Sequence, residues 1–150
     1  MKRLFLVLVV ICLTAITQTL WSATQESDVP AFHDKPPVKG EVLPPILTQQ
    51  QLASADMQAP VQKEAYKAAA RQPGLMHQLP CYCHCDRGHG HNSLHSCFEN
   101  THGANCGICM AESLYAYKMS KKGWTAKMIR DGIIRQEYRQ MDLQHPDPVM

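Results

Sequence analysis

Apolar positions fall into three regimes along the chain. Leu4 to Ile16 is an almost unbroken apolar run, preceded by Met1-Lys2-Arg3. Residues 24 to about 60 have no sustained period and contain Pro30, Pro36, Pro37, Pro44, Pro45 and Pro60. Proline lacks an amide donor and restricts the residue before it, so this stretch is predicted to be extended or irregular. One short helix is expected within Leu47 to Met57. From residue 60 helical periods set in. Val61, Ala65 and Ala69 recur at four-residue spacing, Glu64 and Lys67 lie off that stripe, and Gln72-Pro73-Gly74 stops the helix. Residues 75 to 105 show no period, and Gly88-His89-Gly90-His91 reads as loop. A further helix is predicted from near Cys106, capped by Asn105. It carries Ile108, Ala111, Leu114, Tyr115 and Met119 and ends at Lys121-Lys122-Gly123, where cations and glycine suit a helix C-terminus. Thr125 is read as the cap of a last helix that buries Met128, Ile129, Ile133 and Ile134.

The pattern predicts a mainly α protein: a signal peptide over 1–23, a Pro-rich spacer over 24–59, a helical Cys/His-rich domain with an irregular loop over 60–142, and a tail over 143–150. The last two helices are expected to pack antiparallel through Leu114, Met119, Ile129 and Ile133, with Gly123 permitting the reversal. A domain of about 80 residues usually needs a covalent or metal staple.

The leader has the charged start and apolar centre of a secretory signal, and Trp21-Ser22-Ala23-Thr24 offers small residues for cleavage. Its apolar run is shorter than the roughly 20 residues that span a bilayer. Export to the periplasm or cell exterior is expected, with membrane attachment only through the leader if it is retained. Cys12 follows Ile11, where lipid attachment requires a small residue. Without Lys2 and Arg3, basic and acidic residues balance at 13 each. That balance excludes a dedicated nucleic-acid binder, which would concentrate basic charge.

The chemistry is concentrated between residues 77 and 109. Six of the seven cysteines lie there (Cys81, Cys83, Cys85, Cys97, Cys106 and Cys109), with His77, His84, His89, His91, His95 and His102. Cys81-Tyr82-Cys83-His84-Cys85 places thiols at alternate positions, which in an extended segment share one face. Such thiols are awkward disulfide partners for one another but converge readily on one soft cation, and thiolates prefer Cu(I), zinc or iron–sulfur clusters. Cys106-Gly107-Ile108-Cys109 puts two thiols in a first helical turn, a spacing that serves half a zinc site, a redox pair or a disulfide. Met110 stands where covalent haem attachment requires histidine, so haem is excluded. An iron–sulfur cluster does not suit a chain exported unfolded. His84, His91, His95 and His102 are candidate additional metal ligands. His77 and His145 are read as incidental.

Pro80-Cys81-Tyr82-Cys83-His84-Cys85, followed by Gly90, His91, Ser93-Leu94, Cys97-Phe98, His102, Cys106 and Cys109, resembles the bacterial family named for its PCYCGC motif. The likeness runs over roughly residues 75 to 140. It implies export and one compact cysteine-rich domain, and carries no established activity. The departure is His84, where the motif has glycine. It bears on any special backbone conformation there and brings an imidazole beside the thiols.

Three readings follow. The first is an exported metal-binding protein taking Cu(I) or Zn(II) on the six cysteines. The second is a disulfide-stapled surface module that meets an exported protein partner. The third is a thiol–disulfide oxidoreductase working through Cys106 and Cys109, against which no strand precedes that pair. Hydrolytic chemistry finds no paired carboxylates; Asp86 and Glu99 read as solvated acids.

Overall fold

A computed structural model describes residues 28–150; the leader expected at 1–23 lies outside the described residues. The helices are α1 (Gln49–Ser54), α2 (Pro60–Arg71), α3 (Pro73–Met76), α4 (Cys85–His89), α5 (Gly107–Lys121) and α6 (Ala126–Ile134). Single 3-10 turns span Leu94–Phe98, Gly103–Asn105 and Glu137–Gln140. No strand occurs among the described residues. The mainly α class expected from the periodicity is what the chain adopts.

Helix α2 starts on Pro60, whose missing amide costs nothing at a first helical position. The Gln62 side chain accepts from the Ala59 amide at 2.9 Å. Its buried face is small (Ala65, Ala68 and Ala69), which lets α5 approach closely. Ser113 of α5 crosses that contact, donating to the Ala65 carbonyl at 2.8 Å. Tyr66 fills the end of the interface. Its ring stands edge-on to Phe98 with centroids 4.9 Å apart, and its hydroxyl accepts from the Ala104 amide at 3.1 Å. The core thereby ties α2 to the two turns that carry Cys97 and His102.

Helix α5 begins one residue later than expected. Cys106 holds the cap position with extended backbone (φ −126°). Asn105 does not cap it: that residue closes the preceding 3-10 turn, and its side-chain amide donates to the Thr101 carbonyl at 3.0 Å. The helix buries every residue from Cys109 to Ala116, more than the expected stripe. It is central, with α2, α3, α6 and all three turns packed around it.

Thr125 caps α6, its hydroxyl accepting from the Met128 amide at 3.3 Å. Gly123 supplies the left-handed residue (φ 83°) between α5 and α6. Ile129 and Ile133 are fully buried, but Met128 is 46% and Ile134 38% exposed, contrary to expectation. Only a narrow stripe of this nine-residue helix faces α5, with Gly132 lying directly against Tyr115.

The Pro-rich segment is irregular, apart from α1 and its Thr48–Gln51 capping box, and it lies against the helical body. Pro30 and Leu52 are fully buried, the Leu47 amide donates to the Phe98 carbonyl at 3.1 Å, and Phe32 lies under the Arg130 guanidinium. The His33 ring stacks on His77 at 3.8 Å, so His77 is a buried packing residue rather than an incidental one. Asp86 is likewise engaged, accepting from the Ala31 amide at 3.2 Å.

Candidate metal centre

The Cys81–Cys85 run is not extended. On a strand, residues two apart are separated by about 6.6 Å, yet the Cys81 and Cys83 sulfurs lie 3.3 Å apart. A turn brings them together: the His84 amide donates to the Cys81 carbonyl at 3.1 Å. His84 then adopts left-handed backbone (φ 55°, ψ 33°) and launches α4 at Cys85. The motif's glycine would take that conformation without steric cost; histidine takes it at roughly 1–2 kcal/mol. The special backbone conformation therefore persists with the histidine present. The expected convergence of all three thiols on one ion holds only in part: Cys83 joins Cys81 in one set of ligand atoms and Cys85 in another, and no set contains both Cys81 and Cys85. A reversal of the chain brings them together, not the strand pleat.

The 3-10 turn Leu94–Phe98 contributes Cys97, whose sulfur lies 3.3 Å from that of Cys85. The first turn of α5 contributes Cys109, 3.4 Å from Cys81 and 3.6 Å from Cys83. All six described cysteines are free thiols. Two sets of four side chains bring their ligand atoms within 4.8 Å of one another: Cys81, Cys83, Cys97 and Cys109, and Cys83, Cys85, Cys97 and His102. This cluster can hold a metal ion. Tetrahedral zinc with sulfur at about 2.3 Å separates its sulfurs by about 3.8 Å, so the Cys81, Cys83 and Cys109 sulfurs need spread by only a few tenths of an ångström.

The histidines divide. His102 Nε2 lies 3.7 Å from the Cys83 sulfur, and His91 Nδ1 lies 3.4 Å from that of Cys97. The exposed His89 ring covers this side, with its centroid 4.8 Å from that of His102. His84 lies outside both sets and packs edge-on to Tyr82. His95 also lies outside them, buried, with Nδ1 2.9 Å from Glu99 Oε1. In a 3-10 turn, positions 95 and 97 project in different directions, which is why the neighbouring cysteine joins and His95 does not. Glu99 is accordingly a paired acid rather than a solvated one. A polar recess of about 480 Å³, lined by His33, His77, His89, His91, His95 and Glu99, opens beside these imidazoles.

Cys106 falls outside both sets. Hydrogen bonds from Cys106, Cys109 and Cys81 hold the Cys83 thiol far below its ordinary range against the opposing effect of burial. Cys81 is pushed the other way by its hydrogen bonds with Cys109 and Cys83, reinforced by burial. Cys83 is thus the acceptor within the cluster, with the Cys81 and Cys109 thiols donating to it.

Glu112 was not singled out by its sequence context. It is fully buried on α5; Oε1 accepts from the Tyr82 amide at 2.9 Å, while Oε2 has no hydrogen-bond partner. It thereby anchors the middle of the thiol run. A signal was available: an acid three residues after Cys109 and three before Tyr115 shares a helix face with buried positions. Burial pushes its carboxyl up to about 8, so the folded chain favours the neutral acid. The unfolded chain ionises near 4.5, and the stability contribution present below that pH is lost as pH rises toward 8. Glu112→Gln keeps the acceptor for Tyr82 and is expected to flatten the fall in stability of the metal-free protein across this window. The gain near pH 8 should reach several kcal/mol, at about 1.4 kcal/mol per pH unit. Denaturant melts at a series of pH values check it; parallel wild-type and variant profiles would contradict it.

A family profile described as "Protein of unknown function with PCYCGC motif" matches residues 9–148. No curated protein and no solved structure matches the chain.

Proposed function

Since this chain belongs to the PCYCGC-motif family, whose description carries no activity, we propose its function from the thiol cluster: it is an exported protein that binds a thiophilic metal ion, Cu(I) or Zn(II). One observation carries this reading. A disulfide joins sulfurs one to one, whereas here each central sulfur has several partners. Cys83 neighbours Cys81, Cys109 and His102, and Cys81 neighbours both Cys83 and Cys109. Convergence of that order suits a cation, and soft thiolates select Cu(I) or zinc over magnesium or calcium. The apolar, positively started leader supports action outside the cytoplasm.

A second reading rests on two close contacts. Cys85–Cys97 and Cys81–Cys109 stand at 3.3 and 3.4 Å, so an oxidant can close two staples there. The oxidoreductase reading has less support, because Cys109 is fully buried and shared with Cys81 and Cys83 rather than reserved for Cys106. Metal content and free thiols, measured together on protein isolated from the exported fraction, separate the three. Bound metal with thiols released by a chelator supports ligation. Unreactive cysteines without metal support staples, and two reactive thiols with a defined potential support redox exchange.

A further inference from the structure

We propose that the cluster binds two metal ions at once, with Cys83 and Cys97 as thiolate bridges between them. The proposal rests on the reading that these thiols are ligands and adds how many ions they hold. The two sets of four overlap in those two residues and together contain six donors. Six donors complete two four-coordinate sites only if two of them serve both ions. Thiolate sulfur has the lone pairs to do so; imidazole nitrogen does not, and His102 lies in one set only.

A single ion leaves the cluster unfinished. An ion held by Cys81, Cys83, Cys97 and Cys109 leaves the buried Cys85 thiol 3.3 Å from a coordinated sulfur, and His102 3.7 Å from another. An ion in the other set strands Cys81 and Cys109, which are 3% and 0% exposed. Charge points the same way. Four thiolates around one zinc retain two negative charges in a buried place, and around one Cu(I) they retain three. No lysine or arginine hydrogen-bonds these thiols among the described residues. Two zinc ions on the five thiolates of the combined set leave a single negative charge, and uncompensated buried charge is what such a site must avoid. His91, 3.4 Å from Cys97, is placed to donate to one of the two bridging sulfurs.

The test uses the full chain, reduced and freed of metal, titrated with zinc and weighed intact under native conditions. Two zinc ions per chain are expected. Cobalt(II) in their place is expected to bind at two per chain with its spins antiferromagnetically coupled through the shared sulfurs. Cys85→Ser, which disrupts only one set, is expected to retain one ion. Two uncoupled cobalt ions, or two zinc ions retained by Cys85→Ser, would overturn the bridges. Saturation at one ion would overturn the proposal while leaving the metal-binding reading intact; no binding of either metal would overturn both.

Discussion

Cys83→Ser is expected to weaken metal binding by on the order of 100-fold or more, beyond the 10–100-fold typical of losing a group that merely supports a ligand. Cys83 belongs to both ligand sets. It is also the thiol whose neighbours hold it most readily ionised, through hydrogen bonds from Cys106, Cys109 and Cys81. Metal must displace a proton from each thiol it binds, and a thiol held below its ordinary range gives that proton up more readily. Serine removes the soft donor and returns a hydroxyl that does not ionise at neutral pH. His89→Ala should leave affinity within a few-fold, since His89 is exposed and in neither set. Competition titration against a chromophoric chelator measures both. Equal affinities for the two variants would remove Cys83 from the site.

The second large effect is on stability. The thiols come from three separate pieces of chain: the turn at Cys81–Cys85, the 3-10 turn bearing Cys97, and the start of α5. An ion that takes ligands from all three is held more tightly by the folded arrangement than by the unfolded chain. Free metal at a thousand times its dissociation constant should stabilise the fold by about 4 kcal/mol. In a domain of this size each kcal/mol moves the melting temperature by about 4–8 °C, so saturation should raise it by roughly 15–30 °C. A chelator should reverse the rise and a mild reductant should not. A staple predicts the opposite pair of responses, with reductant unfolding the domain and chelator inert. Thermal melts of one sample under the four conditions distinguish them.

How far the sequence revealed this arrangement depended on whether the determinant was local. Helix α2 matched its expected limits because proline and alanine spacing act within a few residues. Thr125 capped α6 for the same reason. The thiol run was harder. Its residue types announced soft-metal chemistry, but the alternation suggested a strand face, and the chain instead reverses through a left-handed histidine. Nothing in the local pattern favours positive φ at His84; the resemblance to a motif with glycine there was the available hint. Cys97 and Cys109 were visible as thiols, but their place beside Cys81 depends on how α2, α5 and the intervening turns pack. Glu112 and His77 were missed for a related reason. Each is polar in sequence and meets its partner from a segment distant along the chain: Tyr82 for Glu112, which only helix-face spacing could have marked, and the strap bearing His33 for His77. The same long-range packing covers residues that proline content alone marked as a spacer.

The most direct test of the central claim is a paired count on one sample, isolated from the exported fraction without reductant: metal ions per chain, and thiols alkylated before and after a chelator. The cluster predicts bound Cu(I) or zinc, Cys81, Cys83, Cys85, Cys97 and Cys109 protected while it is bound, and those five thiols exposed to alkylation in the denatured chain once it is removed. A metal-free chain whose cysteines resist alkylation after denaturation, until a reductant is added, would contradict it.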